Sequence, residues 1–331
     1  MLSSLLRSLL QLGRRWKPLN FSNPNFVRVP EYHKIEEETI PDYVASRYYP
    51  TRIGEVIKER YQVVGKLGFG STSTAWLARD MNARKYVMLK IFIQTSAMAE
   101  QVDDELKMYR RMEQSPKRHP GHKAVRTLLD TFYIDGSEDK HQCLVHPPLF
   151  ESILTFLRRN PVEPLPSAVI AFVLLRLFLA LDYLHTECQI IHTDIKADNI
   201  MLGINDDSVF SDFEEEELQR PVPRKEVDTD GRTIYMSRDL KMPQSYAILV
   251  QPCSVTNTTR KTFNLIWDIY EGGHLFTGQD PEFQKYRSRA HLAELINLLG
   301  PPPPSLIAQG ELGDKFFLPE GKLRVLLCYV Q

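Results

Sequence analysis

A chain of 331 residues, 43% of them hydrophobic, is long enough to bury one large core or two smaller ones, which excludes a stapled mini-protein and a disordered chain. Its 41 basic side chains nearly balance 42 acidic ones, so there is no global positive field of the kind a protein that wraps nucleic acid depends on. Four scattered cysteines, Cys143, Cys188, Cys253 and Cys328, match neither a zinc site nor a secreted disulfide framework and suit reduced thiols inside a cell.

The first thirty residues carry Arg7, Arg14, Arg15, Lys17 and Arg28 with no acidic residue before Glu31, and Leu2, Leu5, Leu6, Leu9, Leu10 and Leu12 fall near helical spacing opposite the arginines. Two readings stand side by side: a mitochondrial presequence, or a disordered or loosely docked extension. Residues 1–45 are accordingly set apart from a domain over 46–331, and the expected compartment is cytoplasm and nucleus, with the mitochondrion as the alternative.

Alternation predicts strands on either side of a glycine turn between Tyr61 and Ala78, and another over Tyr86–Ile93. Helical spacing of Val102, Leu106 and Tyr109 predicts a helix over Glu100–Met112, and Thr127–Ile134 and Gln142–Val145 read as further strands. This is a small β-rich lobe, 46–149. From Ser152 the pattern turns helical, with Ser152–Arg159 and the apolar Ser167–His185 separated by Pro161, Pro164 and Pro166, so 150–331 is a second, helical lobe. Arg176 and Asp182 interrupt the apolar run, which reads as a buried helix and not a membrane span. Within this lobe, about 205–240 is a polar insert, where glutamates at 214–217 and Pro221 and Pro223 predict an exposed, solvated loop. A helix pair follows between Phe263 and Leu299.

Three segments carry chemistry. Leu67-Gly68-Phe69-Gly70-Ser71-Thr72-Ser73-Thr74-Ala75 has the spacing of a phosphate-cradling glycine loop, with Ser73 at the third glycine and Ala75 at the valine. Val87-Met88-Leu89-Lys90 then ends an apolar strand on a lysine suited to the α- and β-phosphates, and Glu105 on the next helix is placed to hold it. Met88 stands where a small residue usually roofs adenine. Finally, Ile190-Ile191-His192-Thr193-Asp194-Ile195-Lys196-Ala197-Asp198-Asn199-Ile200 matches a catalytic loop in which Asp194 orients a hydroxyl and takes its proton, Lys196 offsets charge on the γ-phosphoryl group and Asn199 ligates magnesium.

Thr193 before Asp194, Ser73 in the glycine loop, and the run Leu181-Asp-Tyr-Leu-His-Thr-Glu-Cys-Gln-Ile-Ile-His-Thr-Asp-Ile-Lys resemble the SR protein kinases, particularly fungal ones, over about 48–240 and 266–300. The resemblance implies an α+β, bilobal protein-kinase fold and ATP and Mg2+ as cofactors. It further implies transfer to Ser/Thr of Arg-Ser-rich, splicing-related protein substrates, and adds Leu149 to the nucleotide-contacting residues. No direct nucleic-acid partner is expected, and the sequence is silent on oligomeric state. Thr193 cannot make the charge-assisted contact to a phosphorylated activation loop that arginine makes there, so activation-loop phosphorylation is not the expected switch.

The chain departs from that family between Ser237 and Ile266, where no Asp-Phe-Gly, activation segment or Ala-Pro-Glu is found, and the C-lobe is expected to be incomplete. Asp212-Phe213-Glu214 stands thirteen residues after Asn199. Asp212 is either the missing metal ligand or a solvated insert residue. An active kinase, a pseudokinase that binds nucleotide or a partner without turnover, and an incomplete gene model of an active kinase are the three readings this leaves.

Overall fold

The computed structural model describes residues 15–136, 140–159, 167–192, 195–227, 231–243, 246–250, 277–302 and 317–318. The chain divides into two compact units, Met1–Asn160 with Pro166–Lys261, and Pro161–Leu165 with Thr262–Gln331.

The first unit is built on a six-stranded sheet of order β1-β2-β3-β4-β6-β5, with β1 Val56–Ile57, β2 Tyr61–Phe69, β3 Ser73–Asp80, β4 Lys85–Phe92, β5 Asp130–Asp135 and β6 Lys140–His146. All pairings are antiparallel. Helix α1, Ser96–Gln114, starts where the Thr95 hydroxyl accepts the Met98 N–H at 3.2 Å, and buries Met98, Val102, Leu106, Tyr109 and Met112 at helical spacing. The Arg60 guanidinium ties the start of β2 to the end of β3 through both oxygens of Asp80, at 3.0 and 2.7 Å, and to β5 through Asp130 at 3.0 Å. Burial pushes the Asp80 carboxyl up, but the Arg60 bonds and the Asn82 and Ala83 N–H groups outweigh it and hold the group below its ordinary value.

Strand alternation gives the sheet two faces. Val63, Trp76, Ala78, Val87 and Leu89 form the core of one, and Val64 and Leu77 belong to the cluster on the other. After β6 come β7 Leu149–Ser152, α2 Ile153–Arg159 and α3 Ser167–Asp182, and α3 ends in a wide π turn over Tyr183–Glu187. By length and composition Ala168–Glu187 could cross a membrane, and a third of it is buried: Val173, Leu177 and Ala180 pack inward while Phe172, Leu175 and Phe178 face out. Strand β8, Ile200–Ile204, lies between β7 and β11, Tyr246–Val250.

The segment expected to be a solvated insert is a packed element. Helix α4, Ser208–Gln219, and the ribbon β9 Arg224–Val227 with β10 Arg232–Tyr235 contribute to both sheet faces, Val209, Phe210 and Phe213 to one and Val222 and Tyr235 to the other. Three of its four successive glutamates find basic partners: Glu214 with Arg79 at 3.0 Å, Glu216 with Lys241 at 2.9 Å, and Glu217, 2% exposed, with Arg238 at 2.9 Å and Arg224 at 3.6 Å. The charge run is therefore an ion-pair seam, with partners that lie outside its own helix. A methyl group on Gly65 would sit 2.7 Å from the Phe213 ring. Gly65→Ala is expected to cost about 1–3 kcal/mol by overpacking, read as a lower urea midpoint at unchanged slope. An unchanged midpoint would show that α4 does not press on the sheet.

The N-terminal segment also differs from expectation. Residues 15–30 were set outside the catalytic fold, yet the Trp16 N–H donates to the Met81 carbonyl at 2.8 Å and the Arg79 guanidinium lies 4.7 Å from the Trp16 ring centre. Leu19 exchanges bonds with the Gln62 side chain at 2.9 and 2.7 Å, and Asn23 Nδ2 donates to the carbonyls of Leu218 and Gln219, which α4 leaves without helical partners. Val27 and Val29 exchange backbone bonds with Arg224 beside β9. Residues 1–14, including all six of the amphipathic leucines, lie outside the described residues.

The second unit, by itself, holds a short ribbon, β12 Gln279–Asp280 with β13 Lys285–Tyr286, and helix α5, Ser288–Leu299. Leu292 of α5 packs on Phe317, and Arg289 pairs with buried Asp280 at 2.6 Å. The other helix expected after Phe263 and the proline block from 303 onward fall outside the described residues.

Candidate nucleotide site

Strand register assembles the site. In β3 and β4, Ala75 stands opposite Lys90 and Leu77 opposite Met88; in β2, Gly68 stands opposite Ala75; in β6, Leu144 stands opposite Lys90 and His146 opposite Met88. Directly opposed residues share a face, so Gly68, Ala75, Met88, Lys90 and His146 line the same side. Lys90 Nζ donates to both carboxylate oxygens of Glu105, at 3.0 and 2.9 Å, and lies 4.4 Å from the Phe92 ring centre. The pair is largely shielded from water, so it is electrostatically stiffer than a surface ion pair. An ammonium held this way offers a fixed point charge to an anionic oxygen.

The glycine hairpin closes with the Gly70 N–H donating to the Ser73 carbonyl at 2.8 Å. A methyl group on Gly68 would meet nothing within 4 Å. The space over that backbone, on the Lys90 face, is open, as a cradle for phosphate oxygens requires. Leu67 packs at the edge of the cluster around Leu77, and Leu149, buried, pairs with Gly203 where β7 meets β8. These residues fit a nucleotide.

Of the catalytic loop, Thr193 and Asp194 lie outside the described residues. His192 is buried, which suits a structural side chain more than a base. The Asn199 N–H donates to the Lys196 carbonyl at 2.9 Å across a 3₁₀ turn, Ala197–Asn199, that leads directly into β8. Asp212 is on α4, half exposed, with Lys241 Nζ 3.3 Å from its carboxylate. Among the described residues no group of three or more His, Cys, Asp or Glu could hold a metal ion.

The wall behind Lys90 carries a further side chain, His146, that no sequence motif marks. His146 is fully buried, its Nδ1 lies 2.9 Å from the Thr127 carbonyl, its ring lies 5.3 Å from that of Tyr109, and its Nε2 has no hydrogen-bond partner among the described residues. Burial first, and the Arg126 charge second, push its pKa well below the ordinary imidazole range, so the ring is neutral. A histidine ending an apolar strand carries no local mark of this, but its register with Met88 does.

The protein kinase domain family matches residues 61–230. A serine/threonine protein kinase of Aspergillus fumigatus is 32% identical over 332 residues, covering 90% of this chain and 79% of that protein. A kinase-domain crystal structure with 19% identity superposes at a TM-score of 0.59, covering 84% of this chain and 82% of that one, and shares its fold. The chain belongs to the protein kinase family, and the α+β bilobal class expected from the sequence is its fold. Within that family it is SRPK-like: the serine/threonine-protein kinase SRPK of Physarum polycephalum is 28% identical over 88% of this chain and 79% of its own length. Human SRSF protein kinase 3 is 36% identical over 52% of this chain and 30% of its own.

Proposed function

We propose that this chain binds ATP over the glycine hairpin and transfers its γ-phosphoryl group to Ser/Thr of Arg-Ser-rich protein substrates. The observation that carries the reading is the bidentate Lys90–Glu105 pair, in register with Ala75 and with Gly68, over whose backbone the space is open. Lys90 holds the α- and β-phosphates, the hairpin backbone covers them, and Met88 and Leu149 bound the base. Asp194 accepts the substrate hydroxyl proton as the new O–P bond forms and the bond to the β-phosphate oxygen breaks, releasing ADP, while Lys196 offsets γ-phosphoryl charge. Asn199 is the residue of this chain that would hold magnesium, which when bound would supply charge neutralisation to the phosphates.

The SRPK and SRSF kinase names of the relatives support the Arg-Ser preference. A second reading, nucleotide binding without turnover, is favoured by Asp212 being paired with Lys241 instead of free to ligate metal. Purified chain is to be tested for magnesium-dependent ATP binding and for phosphorylation of an Arg-Ser repeat peptide. Turnover abolished by Asp194→Ala supports the kinase. ATP binding without turnover establishes the second reading, and absence of binding contradicts both.

A further inference from the structure

The register that puts Gly68 on the Lys90 face puts Lys66, opposite Trp76, on the other. Its ammonium is buried there, 1% exposed. It is bonded to the Glu37 carboxylate, lies 3.4 Å from Glu36, donates to the Tyr235 carbonyl at 3.2 Å, and stands 5.3 Å from the ring centre of Phe69 inside the glycine loop. Both carboxylates come from one 3₁₀ turn, Glu36–Thr39. Glu36 holds φ at 53°, a left-handed backbone that costs energy outside glycine and persists only where the surroundings enforce it. The enforcement is visible: its carboxylate accepts the Ser237 N–H at 2.9 Å and hydroxyl at 2.7 Å. Beside the same turn, Glu38 receives buried Lys225 at 2.5 Å. Further along, the buried Tyr48 hydroxyl donates to the Gly70 carbonyl at 3.5 Å, and the Arg47 carbonyl accepts the Gln94 N–H at 2.8 Å just beyond β4. The hairpin is thus gripped at its root through Lys66 and at its tip through Gly70, from the face away from Lys90.

We propose that residues 36–48 are a brace that sets the pose of the glycine hairpin, with Glu37, Lys66 and Tyr48 as positioning residues for phosphate binding, an inference that rests on the nucleotide-binding reading above. None of the three touches nucleotide in this scheme; they act through the hairpin. A turn with glycines at 68 and 70 is conformationally soft. Lys66 cannot be left buried and unpaired without a large penalty, so the brace stays engaged before ligand arrives, and the hairpin loses less freedom on binding. The benefit falls on the phosphates, because the residues bounding the base, Met88 and Leu149, are on other strands.

Calorimetric titration of the full chain with Mg·ATP and, separately, with adenosine reads this split. The variants are Tyr48→Phe, which removes one hydroxyl, and the paired Glu37→Gln/Lys66→Met, which removes both members of the closest ion pair together and leaves Glu36 held by the Ser237 N–H and hydroxyl. The expected result is a Kd for ATP raised about three- to tenfold, the worth of one hydrogen bond, with adenosine affinity unchanged. A Tyr48→Phe protein of unaltered melting temperature that binds ATP as wild type does, or loses ATP and adenosine affinity equally, would overturn the brace. That variant decides the matter alone if the paired one fails to fold. Wild-type protein that binds neither ligand would overturn the nucleotide reading itself and the brace with it.

Discussion

A chain lacking residues 15–47 is expected to melt at least about 10 °C below the intact protein. The reason lies in two lysines that the segment neutralises. Lys66 and Lys225 are each about 98–99% buried, with Glu37 and Glu38 as their carboxylate partners, and Lys225 also donates to the carbonyls of Glu31 and His33 at 3.3 and 3.1 Å. Removing one partner of a buried pair costs about 3–5 kcal/mol. Each kcal/mol is worth roughly 2–4 °C for a domain of this size, so one pair is worth about 6–20 °C and loss of both reaches that figure before the Trp16, Leu19 and Asn23 contacts are counted. Differential scanning calorimetry measures it. A shift below about 2 °C would mean that these contacts contribute nothing to the fold.

The second large effect belongs to Lys90→Met. The methionine stem fits the space of the lysine stem, so the fold should survive, while the charge aimed at the phosphates is lost. Whatever peptide phosphorylation the chain supports should fall by roughly 10²–10³ in kcat/KM, the usual consequence of losing one preorganised electrostatic group. Glu105→Gln should reproduce a smaller part of the loss, because the ammonium remains but its anchor at 2.9–3.0 Å is weakened. Equal rates in wild type and Lys90→Met would remove Lys90 from the site.

What was legible in the sequence was local. The hairpin, the lysine strand and the helix bearing Glu105 follow from alternation, glycine placement and helical spacing within short windows, and the structure forms β2 Tyr61–Phe69, β3 Ser73–Asp80, β4 Lys85–Phe92 and α1 Ser96–Gln114 where they were expected. What was missed depends on contacts between residues far apart in the chain. Glutamates at 214–217 read as solvated charge and those at 36–38 fell in the segment set apart from the domain, since a sequence window shows the charges but not Arg79, Arg238, Lys66 and Lys225 coming to meet them. Two signals were nevertheless present: Lys66 sits in an apolar, alternating strand next to a glycine loop, and Phe213 interrupts the acidic run with a side chain that needs burial. Asp212 misled for the opposite reason. Its spacing from Asn199 suited a metal ligand, but Phe213 and Val209 direct α4 onto the sheet and leave Asp212 on the outer surface.

The most direct measurement of the central claim, that Lys90 faces bound nucleotide phosphates across the glycine hairpin, is covalent labelling of the full chain with an acyl-phosphate derivative of ATP, which acylates an amine lying beside the phosphates, followed by peptide mass spectrometry. The predicted result is acylation concentrated on Lys90 and suppressed by excess Mg·ATP. Labelling spread over surface lysines, or labelling of Lys90 that Mg·ATP does not protect, would contradict it.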